Sequence, residues 1–437
     1  MKKVLIITYY WPPSGGSGVQ RWMFFCKYLA EFNIKPIVLT VDEKKASYRF
    51  FDQSFLKNTE GIEVYKTNTI EPLQFYSYLL SGNKKEGIPQ GFAGENEPGV
   101  FQKASRFLRG NLFIPDARIG WNSFAYKKAL EIIEREKIDI VITTGPPHST
   151  HLIGLKLKKK LGLNWIADFR DPWTELYYNR FLYRTGWAKR KDATLEEKVL
   201  EKADKVISVG PTLTRMLQDK VNANKDKFHV IFNGYDHKMF ESLKPQKDKE
   251  RFTILHLGVL GESQPILPFL EAIKKLMKEI PSSPEKIKLL LVGNVSPFYA
   301  KEIELVIPEI DFEIRKYIPH RDAIQLMLNA ELLLNSLAEA ENSKMLISGK
   351  LMEYVATGNP VLALGDTEGD SAFVLREIEQ AEVYSRKDME GIYGFLKGVF
   401  EKWDNGKLEQ KTPIGIMKYS RKETTRELSE IIKSFGL

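Results

Sequence analysis

The chain has 437 residues, 43% apolar and 28% charged, a composition that allows two or three globular domains and excludes a disordered or fibrous polymer. One cysteine, Cys26, rules out an internal disulfide and leaves no cysteine-built zinc site. The net charge of +8 suits anionic substrates or an anionic membrane surface, and no zinc-finger or RNP sequence accompanies it, so no nucleic-acid partner is expected.

MKKVLIITYYW has too short an apolar core for a signal peptide and reads as a first strand. No apolar run approaches the roughly 18 residues of a membrane span, and cytoplasm is the expected compartment. VLIIT (4–8), PIVLT (36–40), DIVITT (139–144), WIADF (165–169) and KVISVG (205–210) then read as buried strands, separated by helical patterns such as YKKALEIIEREK (126–137) and STHLIGLKLKKKLG (149–162). A second series follows: FTILHLG (252–258), KLLLVG (288–293), ELLLNS (331–336) and PVLALG (360–365), with helices such as LPFLEAIKKLMKEI (267–280) and KLMEYVATG (350–358). Strand–helix alternation implies parallel sheets covered on both faces, so the expected fold is α/β, two doubly wound Rossmann-like domains in tandem.

The domains are assigned to residues 1–210 and 211–420, with VIFNGYDHKMF (230–240) and the charged SLKPQKDKER after it as the connecting stretch. The last segment, RKETTRELSEIIKSF (421–435), reads as a solitary amphipathic helix. Residues 81–100, rich in Gly, Pro and charge, read as a surface insertion in the first domain.

In open parallel sheets ligands sit beyond the carboxyl ends of the strands, and two such sheets in tandem predict a cleft between them. The first exit loop, YYWPPSGGSGVQR (9–21), turns on Pro12 and Pro13 and brings Gly15, Gly16 and Gly18 to a helix start, a ready anion site. TTGPPHSTH (143–151) places His148 at another exit as a substrate contact, with His151 one turn on. ADFRDPW (167–173) gathers Asp168, Arg170 and Asp171, which form either a positioning network for a polyol or a salt-bridged loop. In SGKLMEYVATGNPVLALG (348–365), Ser348 and Gly349 open a helix whose N–H groups can hold phosphate. Lys350 adds a point charge there, and Glu353 is placed to accept from a ribose diol.

These segments, in this order, resemble the retaining nucleotide-sugar glycosyltransferases of the GT-B fold, glycosyltransferase family 4. The resemblance rests on PPSGGSGVQR, GPPHS, ADFRDPW, VIFNGYD and GKLMEYVATGNPVLAL and covers nearly the whole chain. It implies that Gly15 and Gly16 approach the donor diphosphate and that His148 lies near the transferred sugar. Lys350 would be a phosphate contact and Glu353 would hold the donor ribose as the second glutamate of an E-x7-E pattern. The final helix would cross back onto the first domain. The chain departs from the family pattern in two places: Met345 stands where the first glutamate belongs, and GVLGESQPILPF (258–269) lacks the usual Arg and Lys, leaving Arg21, Arg170, Lys344 or Lys350 to supply charge.

The expected activity is transfer of a sugar with retention from a nucleotide diphosphate, a UDP- or GDP-sugar, to a glycan or lipid-linked acceptor in polysaccharide or cell-envelope synthesis. No D-x-D occurs, so neither metal nor cofactor is expected. YYNRFLYRTGWAKRK (177–191) and RFLRGNLFIPDARIGW (106–121) interleave aromatics with cations, as at a membrane interface or as partly buried aromatics of the first domain. Peripheral attachment to the inner face of the cell membrane is the corresponding expectation. A catalytically degenerate binding or scaffold protein and a sugar-nucleotide epimerase are the alternative readings.

Overall fold

A computed structural model describes residues 1–48, 51–71, 100–339, 341–378 and 382–436. The insertion expected at 81–100 lies outside the described residues except for Val100, which begins a helix, Val100–Leu112. The chain forms two compact units, Met1–Phe232 with Thr424–Leu437, and Asn233–Glu423.

The first unit is a seven-stranded, wholly parallel sheet: β1 (Lys2–Ile7), β2 (Ile34–Val41), β3 (Glu63–Thr67), β4 (Ile140–Gly145), β5 (Asn164–Phe169), β6 (Lys205–Ser208) and β7 (Phe228–Val230). The order is β3-β2-β1-β4-β5-β6-β7. From β1 the chain builds outward through β2 and β3, then returns to lay β4 on the other side, with Val4 opposite both Pro36 and Ile140. That reversal makes the carboxyl ends of β1 and β4 the switch point, where this topology binds ligands.

β1 shows why its sequence is continuously apolar. Val4 and Ile6 pack on one face with Trp22, Phe25 and Leu29, while Leu5 and Ile7 pack on the other with Trp121, Ile132 and Ile153. Leu428 and Ile432 of the last helix join the Trp22 face, each burial worth about 1.5–3 kcal/mol.

The second unit repeats the pattern with six parallel strands: β8 (Phe252–Leu260), β9 (Ile287–Val295), β10 (Asp311–Arg315), β11 (Leu332–Ser336), β12 (Val361–Leu364) and β13 (Val383–Tyr384). The order is β10-β9-β8-β11-β12-β13, so its switch point lies at the ends of β8 and β11. Ile254, Leu289, Leu291, Phe269 and Phe400 centre its core.

One expectation needs correction. The domain boundary falls at 232/233 rather than 210/211, because the helix Pro211–Asp219 leads to β7, which pairs with β6 and completes the first sheet. Four strands escaped the sequence reading, β3, β7, β10 and β13, and each is the outermost strand of its sheet.

Candidate functional site

Beyond β1 the chain packs Trp11, Pro12, Pro13 and Ser14 inward, and Asp52 N–H fixes the turn by donating to the Pro13 carbonyl at 2.9 Å. Gly16 then turns with φ 97° into the helix Ser17–Leu29. A Cβ on Gly16 would meet nothing within 4 Å, so the backbone angle and not crowding calls for glycine. No side-chain cap stands at this helix start and its first turn carries no acid, which leaves the positive end of the helix suited to an anion.

The ADFRDPW residues split into different roles. Asp168 is fully buried, and its carboxylate accepts from Arg21 at 3.0 and 3.1 Å, Trp22 Nε1 at 2.6 Å and Thr144 Oγ1 at 2.8 Å. It has no surface to offer a substrate and acts as a positioning residue. Arg21 is itself buried by this pairing and by donation to the Ile231 carbonyl at 2.8 Å, so it is not a cation for a diphosphate. Arg170 donates to the carbonyls of Gly18, Gly145 and Pro146 and so fastens three exit loops together. Asp171 is exposed.

His148 and His151 stack beneath these loops. His148 lies over Trp173 with ring centroids 5.1 Å apart, and Trp173 is anchored by donating to Asp192 at 2.8 Å. The Nε2–H of His148 donates to the Pro172 carbonyl at 3.2 Å, which leaves Nδ1 as a bare lone pair, buried and without a partner among the described residues. Burial and then His151 hold the His148 pKa well below the ordinary histidine value. His151 contacts Thr143 Oγ1 through Nδ1 at 2.9 Å, buries an unpartnered Nε2, and is pushed down by burial to about 3. Both rings are neutral at physiological pH.

A Cβ on Gly145 would stand 2.7 Å from His148 Nδ1 and equally close to His151 Nε2. Gly145→Ala is therefore expected to destabilise the first unit by about 1–3 kcal/mol, since neither stacked ring can withdraw freely. Urea unfolding measures this; an unchanged midpoint would contradict it.

In the second unit Glu353 sits in the first turn of the short helix Leu351–Ala356, with the residue 3% exposed. His320 Nε2 donates to one carboxylate oxygen at 2.7 Å and Lys350 Nζ to the other at 3.0 Å. Burial alone would raise the Glu353 carboxyl, but Lys350 and His320 outweigh it and hold the group well below the carboxylate range. Ser348 and Gly349 precede the helix in a turn instead of opening it: Lys350 occupies the cap position, and its N–H reaches Ser348 Oγ at 3.3 Å. Met345 is buried and Lys344 exposed.

Sequence reasoning missed His320, which no local pattern connects with Glu353. It also missed Arg386. Arg386 donates to the carbonyls of Pro265 and Leu337 and to Ser336 Oγ, and so fastens the cation-free loop after β8 to the exit of β11. The first unit thus gathers Gly15, Gly16, His148, Asp168, Arg170 and Asp171 around one switch point. The second brings Ser348, Gly349, Lys350 and Glu353 together with His320.

Residues 90–238 match the family described as Glycosyltransferase Family 4. That match spans about a third of the chain. Its fold is that of the GT-B glycosyltransferases, two parallel-sheet α/β units. The glycosyltransferase from Rickettsia africae ESF-5 is 16% identical over 99% of this chain and 98% of its own, with a TM-score of 0.60. Sucrose-phosphate synthase from Thermosynechococcus elongatus is 13% identical over 100% of this chain and 99% of its own, at 0.61. A UDP-N-acetylglucosamine 2-epimerase from Listeria monocytogenes is also similar, at 12% identity, 100% and 97% coverage and a TM-score of 0.53. At these identities the likeness is one of fold. No curated protein sequence matches the chain.

Proposed function

We propose that this glycosyltransferase-like protein moves a sugar from a nucleotide diphosphate to a hydroxyl of a lipid-linked or envelope glycan, with retained anomeric configuration. The observation that carries the donor half is the Glu353 carboxylate. A carboxylate buried this deeply is costly unless it is paired; His320 and Lys350 supply that pairing, and each of its oxygens keeps a lone pair beyond those facing them. A ribose diol is a fitting pair of donors for them. Lys350, beside it, would meet the diphosphate, and the open helix start behind Gly15 and Gly16 is proposed as an anion contact of the first unit.

In the step itself the bond from the anomeric carbon to the diphosphate oxygen breaks and one to the acceptor oxygen forms. The acceptor proton leaves with the diphosphate. The protein's part is to stabilise the negative charge that develops on the leaving group. His148 is proposed to lie under the transferred sugar as a neutral ring, with Asp171 the exposed acid beside it. Asp168 and Arg170 act by holding these loops. The transfer is proposed to need no metal, a reading that rests on the sequence.

A thermal-shift panel of UDP-, GDP-, ADP- and dTDP-sugars tests this, with Glu353→Ala as the paired control. One nucleotide should raise the midpoint, by the equivalent of about 2.7 kcal/mol at a hundredfold excess over Kd, and the variant should lose the shift. A folded sample that responds to none at millimolar ligand would favour the scaffold reading. An altered sugar released without acceptor would favour the epimerase.

A further inference from the structure

We propose that the first unit carries a docking surface for an anionic lipid bilayer, built where the helix Val100–Leu112 meets the segment 177–191. The two stretches lie far apart in the chain, yet they contain eight lysines and arginines and no carboxylate, as much charge as the whole protein's net +8.

The structure seams them together. The Asn111 amide donates to the Tyr183 carbonyl at 3.2 Å and accepts from Thr185 N–H and Oγ1, both at 2.8 Å. Gly110 permits the approach: a Cβ there would stand 2.4 Å from the Leu182 carbonyl oxygen.

Along this seam Phe107, Leu108, Leu112, Tyr183 and Trp187 stay exposed, Leu112 by 68% and Trp187 by 57%. Exposed cations stand among them: Lys103, Arg180, Lys189, Arg190 and Lys191, the last with its ammonium 4.8 Å from the Trp187 ring centroid. Two acids of this region are tied inward. Asp192 is buried against Arg184 and Trp173, and Asp116 accepts from Ser149.

Large apolar side chains among exposed cations that have no carboxylate partner among the described residues fit a lipid interface, where rings and leucines enter the headgroup zone and ammonium groups meet lipid phosphate. Nucleic acid would satisfy the cations but leave Leu112 and Trp187 in water. No helix among the described residues is long and apolar enough to cross a membrane. The inference draws on the transferase reading only to make this surface the place where a lipid-linked acceptor is presented.

Trp187 reports directly, because Trp11, Trp22, Trp121, Trp165 and Trp173 are buried and Trp403 is half-buried. Vesicles containing phosphatidylglycerol should bind the protein in co-sedimentation and shift its tryptophan emission to the blue. Phosphatidylcholine vesicles should do neither. Trp187→Phe should lose the spectral shift while still sedimenting. Reversal of Lys189, Arg190 and Lys191 to glutamate should weaken binding at least about a hundredfold, and Leu112→Ser about tenfold. All of these positions are exposed, so the melting temperature and any nucleotide-sugar response should stay unchanged, which separates this result from the donor test. The proposal is overturned by wild-type protein that ignores anionic vesicles or binds neutral ones equally. Undiminished binding by the reversal variant overturns it too, as does retention on single-stranded RNA without vesicle binding.

Discussion

Asp168→Ala is expected to cost the first unit about 3–5 kcal/mol, enough to unfold it in many conditions. The carboxylate receives Arg21, Trp22 and Thr144, and the Arg21 guanidinium is 1% exposed with no route to water. Removing the acid strands that charge in the interior together with an indole N–H and a hydroxyl. Most of the loss is the penalty of what remains, not the worth of the pair. The double change Asp168→Leu with Arg21→Met should therefore recover much of the stability lost by Asp168→Ala, since a buried pair exchanged for apolar groups is often nearly neutral. Calorimetry resolves the transition of the first unit; a loss under about 1 kcal/mol for the single variant would show the pair to be solvated.

The same network shows what a sequence can and cannot reveal. ADFRDPW announces a polar loop at a strand exit, but it gives no sign that Asp168 is tied to residues 147 and 146 positions earlier in the chain. Local pattern finds the loop, whereas packing decides which of its three charged side chains faces solvent. His320 escaped for the same reason, lying 33 residues from Glu353.

Strands show a parallel division. VLIIT and ELLLNS are buried on both faces and announce themselves by continuous apolar character. EVYKT and DFEIR are edges, where one flank meets water and charge guards against further pairing. Glu63 of β3 is paired with Lys35 of β2, and Glu313 of β10 with Lys288 of β9 and with Arg315, so the strand is written in ion pairs rather than in hydrophobic runs. VY and FHV are too short to carry any period at all. Glycines at the exits were legible as glycines, but their reasons differ. Gly16 answers to a positive φ and Gly145 to two imidazoles.

Glu353→Gln should separate the structural and functional duties of the second unit. Glutamine keeps the volume and one acceptor oxygen but loses the charge that attracts Lys350 and His320. At neutral pH the variant should be less stable by about 1–3 kcal/mol, less than a fully enclosed pair would cost because Lys350 is 28% exposed and can turn to water.

The folded carboxyl is depressed relative to its ordinary value of 4.5, so the wild-type advantage is complete above that value and erodes as the pH falls below it toward the lower folded pKa. The stability gap between wild type and variant should therefore be constant from neutral pH down to mildly acidic conditions. It should then close by at most about 1.4 kcal/mol per pH unit. Urea titrations at several pH values read this directly, and a gap that widens in acid would invert the assignment of charge.

The nucleotide measurement is independent of that curve. Two ribose hydroxyls on an ionised carboxylate lose about 1.5–3 kcal/mol for each charged hydrogen bond weakened, so donor Kd should rise by at least about tenfold while the unit stays folded at neutral pH. Unchanged donor affinity in a variant with the expected acid profile would leave Glu353 as a bracket for Lys350 and His320, and would move the ribose elsewhere.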